Sequence, residues 1–158
     1  MRDCLEAAMK ASWFKYFAIT LFSLCGDSIL AQTFMEGWQA ALSKPTYSNV
    51  RFQMYQVAMP DGVKLSAAVW RPDVEKVKFP VIMVATPYNK LAPANINDAN
   101  YFVPRGYVYI AYDLRGRYDS QGQAYLYGEK DGSDLNVMQT WSARQPWSTG
   151  KIGMFGGS

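Results

Sequence analysis

From Val50 the chain alternates. Val50, Phe52 and Met54 are separated by Arg51, Gln53 and Tyr55, the two-residue period of a half-buried strand. Pro60-Asp61-Gly62 is a turn signal, and Val63 to Trp70 reads as the returning strand, so the two segments predict an antiparallel hairpin that Arg71-Pro72-Asp73 breaks. The segments that follow are of another kind. Pro80-Val81-Ile82-Met83-Val84-Ala85 is a continuous apolar run bounded by prolines, as expected for a strand covered on both faces. A polar loop and a short helix around Asn97 to Val103 lead to a second such run, Tyr107 to Ala111. A glycine-rich loop precedes a helix from about Asp131 to Arg144, whose Leu135, Met138 and Trp141 share one face and which Pro146 ends. Lys151 to Phe155 is a last short strand running into Gly156-Gly157-Ser158. A hairpin followed by strand, helix, strand, helix, strand predicts a three-layer α/β sheet with parallel central strands. The last strand has no crossover helix after it, which leaves an edge and part of a face uncovered. The 158 residues are therefore expected to be an N-terminal portion of a larger domain, insoluble or molten by themselves.

The N-terminus follows a different pattern. Lys10 and Lys15 precede an uncharged stretch from Tyr16 to Gly26, and Ile29-Leu30-Ala31 ends on a small residue before Gln32. A basic flank, a short apolar core and a small-residue exit are the parts of a secretory signal peptide, predicted here over residues 1–31. The apolar core is too short for a stable membrane span, which takes about 20 residues. Asp3 and Glu6 sit badly in a basic leader, so Met9 is the better start. A buried N-terminal helix is the alternative. Export to the periplasm or beyond is the expectation, with residues 32–158 as the mature chain.

Composition narrows the chemistry. Hydrophobic residues make up 49% of the chain, enough to build a packed core and to exclude disorder throughout. The net charge is only +3, and no run of Lys or Arg offers the footprint that nucleic acid would require. There is no histidine, so no imidazole within these residues can serve as general base or metal ligand. The two cysteines, Cys4 and Cys25, leave everything after residue 25 free of thiols. A disulfide scaffold, a zinc knuckle and a cysteine nucleophile are thereby excluded.

What remains is a strand that runs into Gly-x-Ser. This is how a nucleophile elbow begins: glycines permit a tight turn that lifts the serine hydroxyl above the sheet edge. The full pattern is Gly-x-Ser-x-Gly, of which only the first three positions are present, and a terminal Gly-Gly-Ser can equally be a flexible end. Its position after the fifth strand counted from Val50 favours the elbow, because in α/β hydrolases the elbow follows the fifth strand.

Five motifs in order then carry a resemblance: Met59-Pro60-Asp61-Gly62-Val63-Lys64-Leu65, Thr86-Pro87-Tyr88-Asn89-Lys90, Asp113-Leu114-Arg115-Gly116, Ser120-Gln121-Gly122, and Gly153-Met154-Phe155-Gly156-Gly157-Ser158. From about Val57 to Ser158 the chain resembles the cocaine-esterase and Xaa-Pro dipeptidyl-peptidase group of α/β-hydrolase serine enzymes, which also contains α-amino-acid ester hydrolases and glutaryl-cephalosporin acylases. The resemblance implies the N-terminal portion of an α/β-hydrolase sandwich, truncated at the nucleophile elbow. It implies that Ser158 is the nucleophile that forms an acyl-enzyme, and that Tyr88 donates to the oxyanion hole. A phenol can donate a hydrogen bond to developing negative charge without bringing a counter-ion. The substrate would be a small ester, amide or peptide. No cofactor or metal is implied. The triad acid and histidine, a cap and a β-sandwich domain would lie in the missing part, so the 158 residues alone are expected to be inactive. Asp113 precedes Ser158, whereas the triad order in this fold is Ser, then Asp or Glu, then His. Asp113 is therefore assigned a structural role in holding the Arg115 loop. Glu129, Asp131 and Asp134 read as an acidic first helical turn, with an amine-binding carboxylate cluster as the alternative. Two other classes stay open for the whole chain: a non-catalytic binding module and a degenerate remnant of a hydrolase gene.

Overall fold

Two apolar layers enclose a five-stranded mixed sheet in the computed structural model, which describes residues 42–124 and 128–156. The leader predicted over 1–31 and the nucleophile predicted at Ser158 lie outside the described residues. In chain order the strands are β1 (Val50–Ala58), β2 (Lys64–Pro72), β3 (Phe79–Thr86), β4 (Val108–Asp113) and β5 (Ser148–Met154). The helices are α1 (Pro93–Phe102), continued by a 3-10 turn at Val103–Arg105, and α2 (Asp131–Ala143). The strand order is β1-β2-β4-β3-β5, with β1/β2 and β2/β4 antiparallel and β3/β4 and β3/β5 parallel. This is the predicted hairpin followed by parallel crossovers.

The hairpin turns where Gly62 takes a left-handed φ of 84°, with its N–H donated to the Met59 carbonyl. β4 is buried at every position, because β2 and β3 flank it and a layer covers each face. On one side Val57, Leu65, Val81, Met83, Ile110 and Tyr112 pack with Met138 of α2. On the other Ala68, Trp70, Val84, Tyr109 and Ala111 pack with Ala99 of α1 and with Val103. Burial of uninterrupted apolar strands on both faces is the main source of cohesion, at about 25 cal/mol for each Å² removed from water.

Two expectations are corrected. β1 alternates as expected, but its covered side is the one carrying Tyr55 and Val57, where Tyr55 meets the Trp141 ring edge-on at 5.1 Å. Val50, Phe52 and Met54 are exposed, and the Phe52 ring lies 5.1 Å from that of Trp70. The reason is lateral: α1 packs over β4, and among the described residues nothing extends that layer across β1. The last strand runs from Ser148 to Met154 rather than from Lys151 to Phe155, because it pairs with β3 from Phe79 onward and Phe155 leaves the ladder to pack on Phe102.

Candidate active site at the C-terminal edge of the sheet

Parallel strands send their following loops to one edge, where open α/β sheets bind ligands. Thr86 ends β3 directly opposite Asp113, which ends β4, and the Leu114 N–H donates to the Thr86 carbonyl. The two loops thus leave the sheet side by side. The first carries Tyr88, whose N–H donates to Thr86 Oγ1 at 3.0 Å and whose residue is 65% exposed. Asn89 follows in a left-handed conformation, φ 82°, stabilised because its Oδ1 accepts the Leu91 N–H and its carbonyl accepts from Asn95 Nδ2 and the Ala92 N–H.

Next comes Lys90, whose side chain is wholly buried. Its backbone N–H donates to Asp113 Oδ1 at 2.7 Å, and its ammonium donates to Asp113 Oδ2 at 2.7 Å and to Asp119 Oδ2 at 2.5 Å. Burial pulls the lysine toward its neutral form, but the hydrogen bonds its ammonium donates to the two aspartates outweigh it and hold Lys90 above its ordinary value. Asp113 does hold the loop after β4, as its assignment required: its carboxylate accepts the Asp119 N–H and its carbonyl accepts the Ser120 hydroxyl. It also binds the neighbouring loop through Lys90, which the motif reading did not anticipate.

Arg115 has different partners. It forks onto Asp134 with Nε at 2.8 Å and Nη2 at 2.7 Å, and reaches Asp61 in the hairpin turn at 2.9 Å, where Lys130 also binds. Asp134 is therefore more than a charge favoured by a helix start: it is the buried acceptor of a bidentate pair. Asp131 does serve the start of α2, accepting the Gly128 N–H, and Glu129 is exposed. No amine-binding trio forms from these three, because Asp134 is committed to Arg115.

The remaining motif residues shape the β4 loop. The Ser120 hydroxyl accepts the Ser66 N–H, and Gln121 exchanges backbone and side-chain hydrogen bonds with Lys64. Gly116 has φ 67°, and a Cβ there would lie 2.2 Å from the Ala124 nitrogen, so no other residue fits without moving backbone. Three of the five motifs are thus a scaffold that ties β2, β4 and the hairpin turn together.

This placement of motifs agrees with a match of residues 61–158 to the X-Pro dipeptidyl-peptidase (S15) family. The chain belongs to that family. It is similar to the cocaine esterase of Rhodococcus sp. (strain MB1 Bresler), with 34% identity over 104 residues, covering 63% of this chain and 18% of the esterase. Among solved structures it is similar to a CocE/NonD family hydrolase from Staphylococcus aureus, at 26% identity and TM-score 0.59 over 69% of this chain and 26% of the other. An α-amino acid ester hydrolase matches at 25% identity and TM-score 0.55, over 73% of this chain and 22% of that enzyme. The fold is accordingly an α/β-hydrolase sheet, and the family is one of hydrolases. The chain spans under a fifth of the length of the curated relative that it matches.

Proposed function

We propose that the protein carrying this chain is a serine hydrolase that cleaves ester or amide bonds, Xaa-Pro peptides or acyl esters among them. In this reading Ser158 Oγ attacks the substrate carbonyl, the alcohol or amine departs, and water releases the acyl group. Tyr88 donates its phenolic hydrogen to the carbonyl oxygen as negative charge develops there, beside the backbone N–H that follows the nucleophile in this fold. With no histidine among the 158 residues, the general base comes from outside them, and these residues alone have no hydrolase activity. The reading also takes residues 1–31 as an export signal, which N-terminal sequencing of the mature protein checks.

The observation that carries the reading is the parallel register. β5 pairs in parallel with β3 through Met83↔Met154, so β5 itself points toward the same edge from which the Tyr88 loop leaves. Tyr88 itself is exposed at that edge rather than packed in the core.

The test is labelling of the full-length gene product with a fluorophosphonate serine probe. Labelling is expected in the wild type and lost in Ser158→Ala. Labelling that survives Ser158→Ala moves the nucleophile to another residue, and none in the wild type leaves a non-catalytic module; either outcome sinks the reading.

A further inference from the structure

A lysine with a fully buried side chain is an unusual filler two residues after an exposed tyrosine. Its backbone N–H and its ammonium both go to Asp113. On one side of Tyr88, its own N–H is fixed on Thr86 Oγ1. On the other, the Lys90 N–H is fixed on Asp113 Oδ1, with the left-handed Asn89 between them. The backbone is thus pinned on both sides of Tyr88, while the residue itself is 65% exposed. The pin has a second anchor. Asp119, whose side chain is 66% exposed, reaches in to the Lys90 ammonium from the loop after β4. Lys90 therefore couples the loop that carries Tyr88 to the loop that follows Asp113.

We propose that Asp119, acting through the buried Lys90–Asp113 pair, is a positioning residue that sets the direction of the Tyr88 hydroxyl. The role rests on the oxyanion reading of Tyr88 given above. Preorganisation explains why such a coupling would matter: a donor must already point at the charge that develops, and a small misplacement lowers the rate without weakening ground-state binding. Asp119 suits a test better than its partners, because its removal leaves Lys90 paired with Asp113.

The experiment is a double-mutant cycle on the full-length protein, with Asp119→Asn and Tyr88→Phe singly and together. Asp119→Asn is expected to lower kcat roughly 10-fold with KM within about twofold, to unfold at the wild-type temperature, and to lose its effect in the Tyr88→Phe background. Asp119→Glu, which keeps the charge, should recover most of the rate. Faster amide exchange at Lys90 and Leu91 in Asp119→Asn would show the loosened pin directly. If Tyr88→Phe alone leaves kcat unchanged, the oxyanion role of Tyr88 falls, and the positioning role with it. If Tyr88→Phe lowers kcat but Asp119→Asn has no effect, or the same effect in both backgrounds, Tyr88 keeps its role and the positioning role of Asp119 is overturned.

Discussion

Two charged clusters hang from the end of β4, and they differ in how much water they see. Around Lys90, the lysine and Asp113 side chains are both wholly buried, and only Asp119 meets solvent. Around Arg115, burial falls off step by step, from Asp134 at 5% side-chain exposure to Asp61 at 32% and Lys130 at 59%. The first cluster is a dry clamp between two loops. The second is a graded bridge from helix α2 to the hairpin turn. Opposite charges in a dry site cannot fall back on water when a partner is removed, whereas those at a rim can. The comparison teaches that similar ion pairs, two sequence positions apart in origin, should respond very differently to the same kind of substitution.

The largest effect should come from the dry side. Asp113→Ala strands the Lys90 ammonium on Asp119 alone and removes the acceptor for the Lys90 N–H, at an expected cost of about 3–5 kcal/mol. A denaturant midpoint on the full chain measures it. An intermediate loss is expected for Asp134→Ala, about 2 kcal/mol, since Arg115 is left with the more exposed Asp61. Equal losses for these two variants would erase the distinction between the clusters. At the wet end, Asp61→Asn should give the smallest change, and one that depends on pH. Lys130, and then Arg115, hold the Asp61 carboxyl well below the ordinary carboxylate range. A depressed folded-state pKa stabilises the fold above the unfolded value, about 4, and that contribution is lost as pH falls through the lower folded value. Melts of wild type and Asp61→Asn should therefore differ at pH 7 and converge as the pH drops below about 4. Added salt should also narrow the gap at pH 7. A difference that grows with acid would contradict the assignment.

Much of this fold was legible because its signals are local. Pro60-Asp61-Gly62 announces the hairpin, and the apolar runs that became β3 and β4 have no alternative reading as exposed segments. Alternation in β1 revealed a strand but not which side would be covered, since that depends on how far α1 extends across the sheet. The clusters were hidden for a related reason. Lys90 and Asp113 are 23 residues apart and Asp61 and Arg115 are 54 apart, so only the strand order brings them together. Lys90 stood within a recognised motif, yet nothing local says that a lysine after Tyr88-Asn89 turns inward. Tyr88 was named through the motif, and its exposure at the sheet edge fits the role given to it; Ser158 was named in the same way and lies outside the described residues.

The strand order has a consequence for the order of synthesis. β3 leaves the ribosome before β4, yet its neighbours in the finished sheet are β4 and β5, and β4 alone joins it to the hairpin. While residues 87–107 are being made, the hairpin can close on itself, but β3 has no ladder to enter. An apolar strand with two open edges must wait for its later neighbours, and during that interval it is the part of the nascent chain most in need of a chaperone.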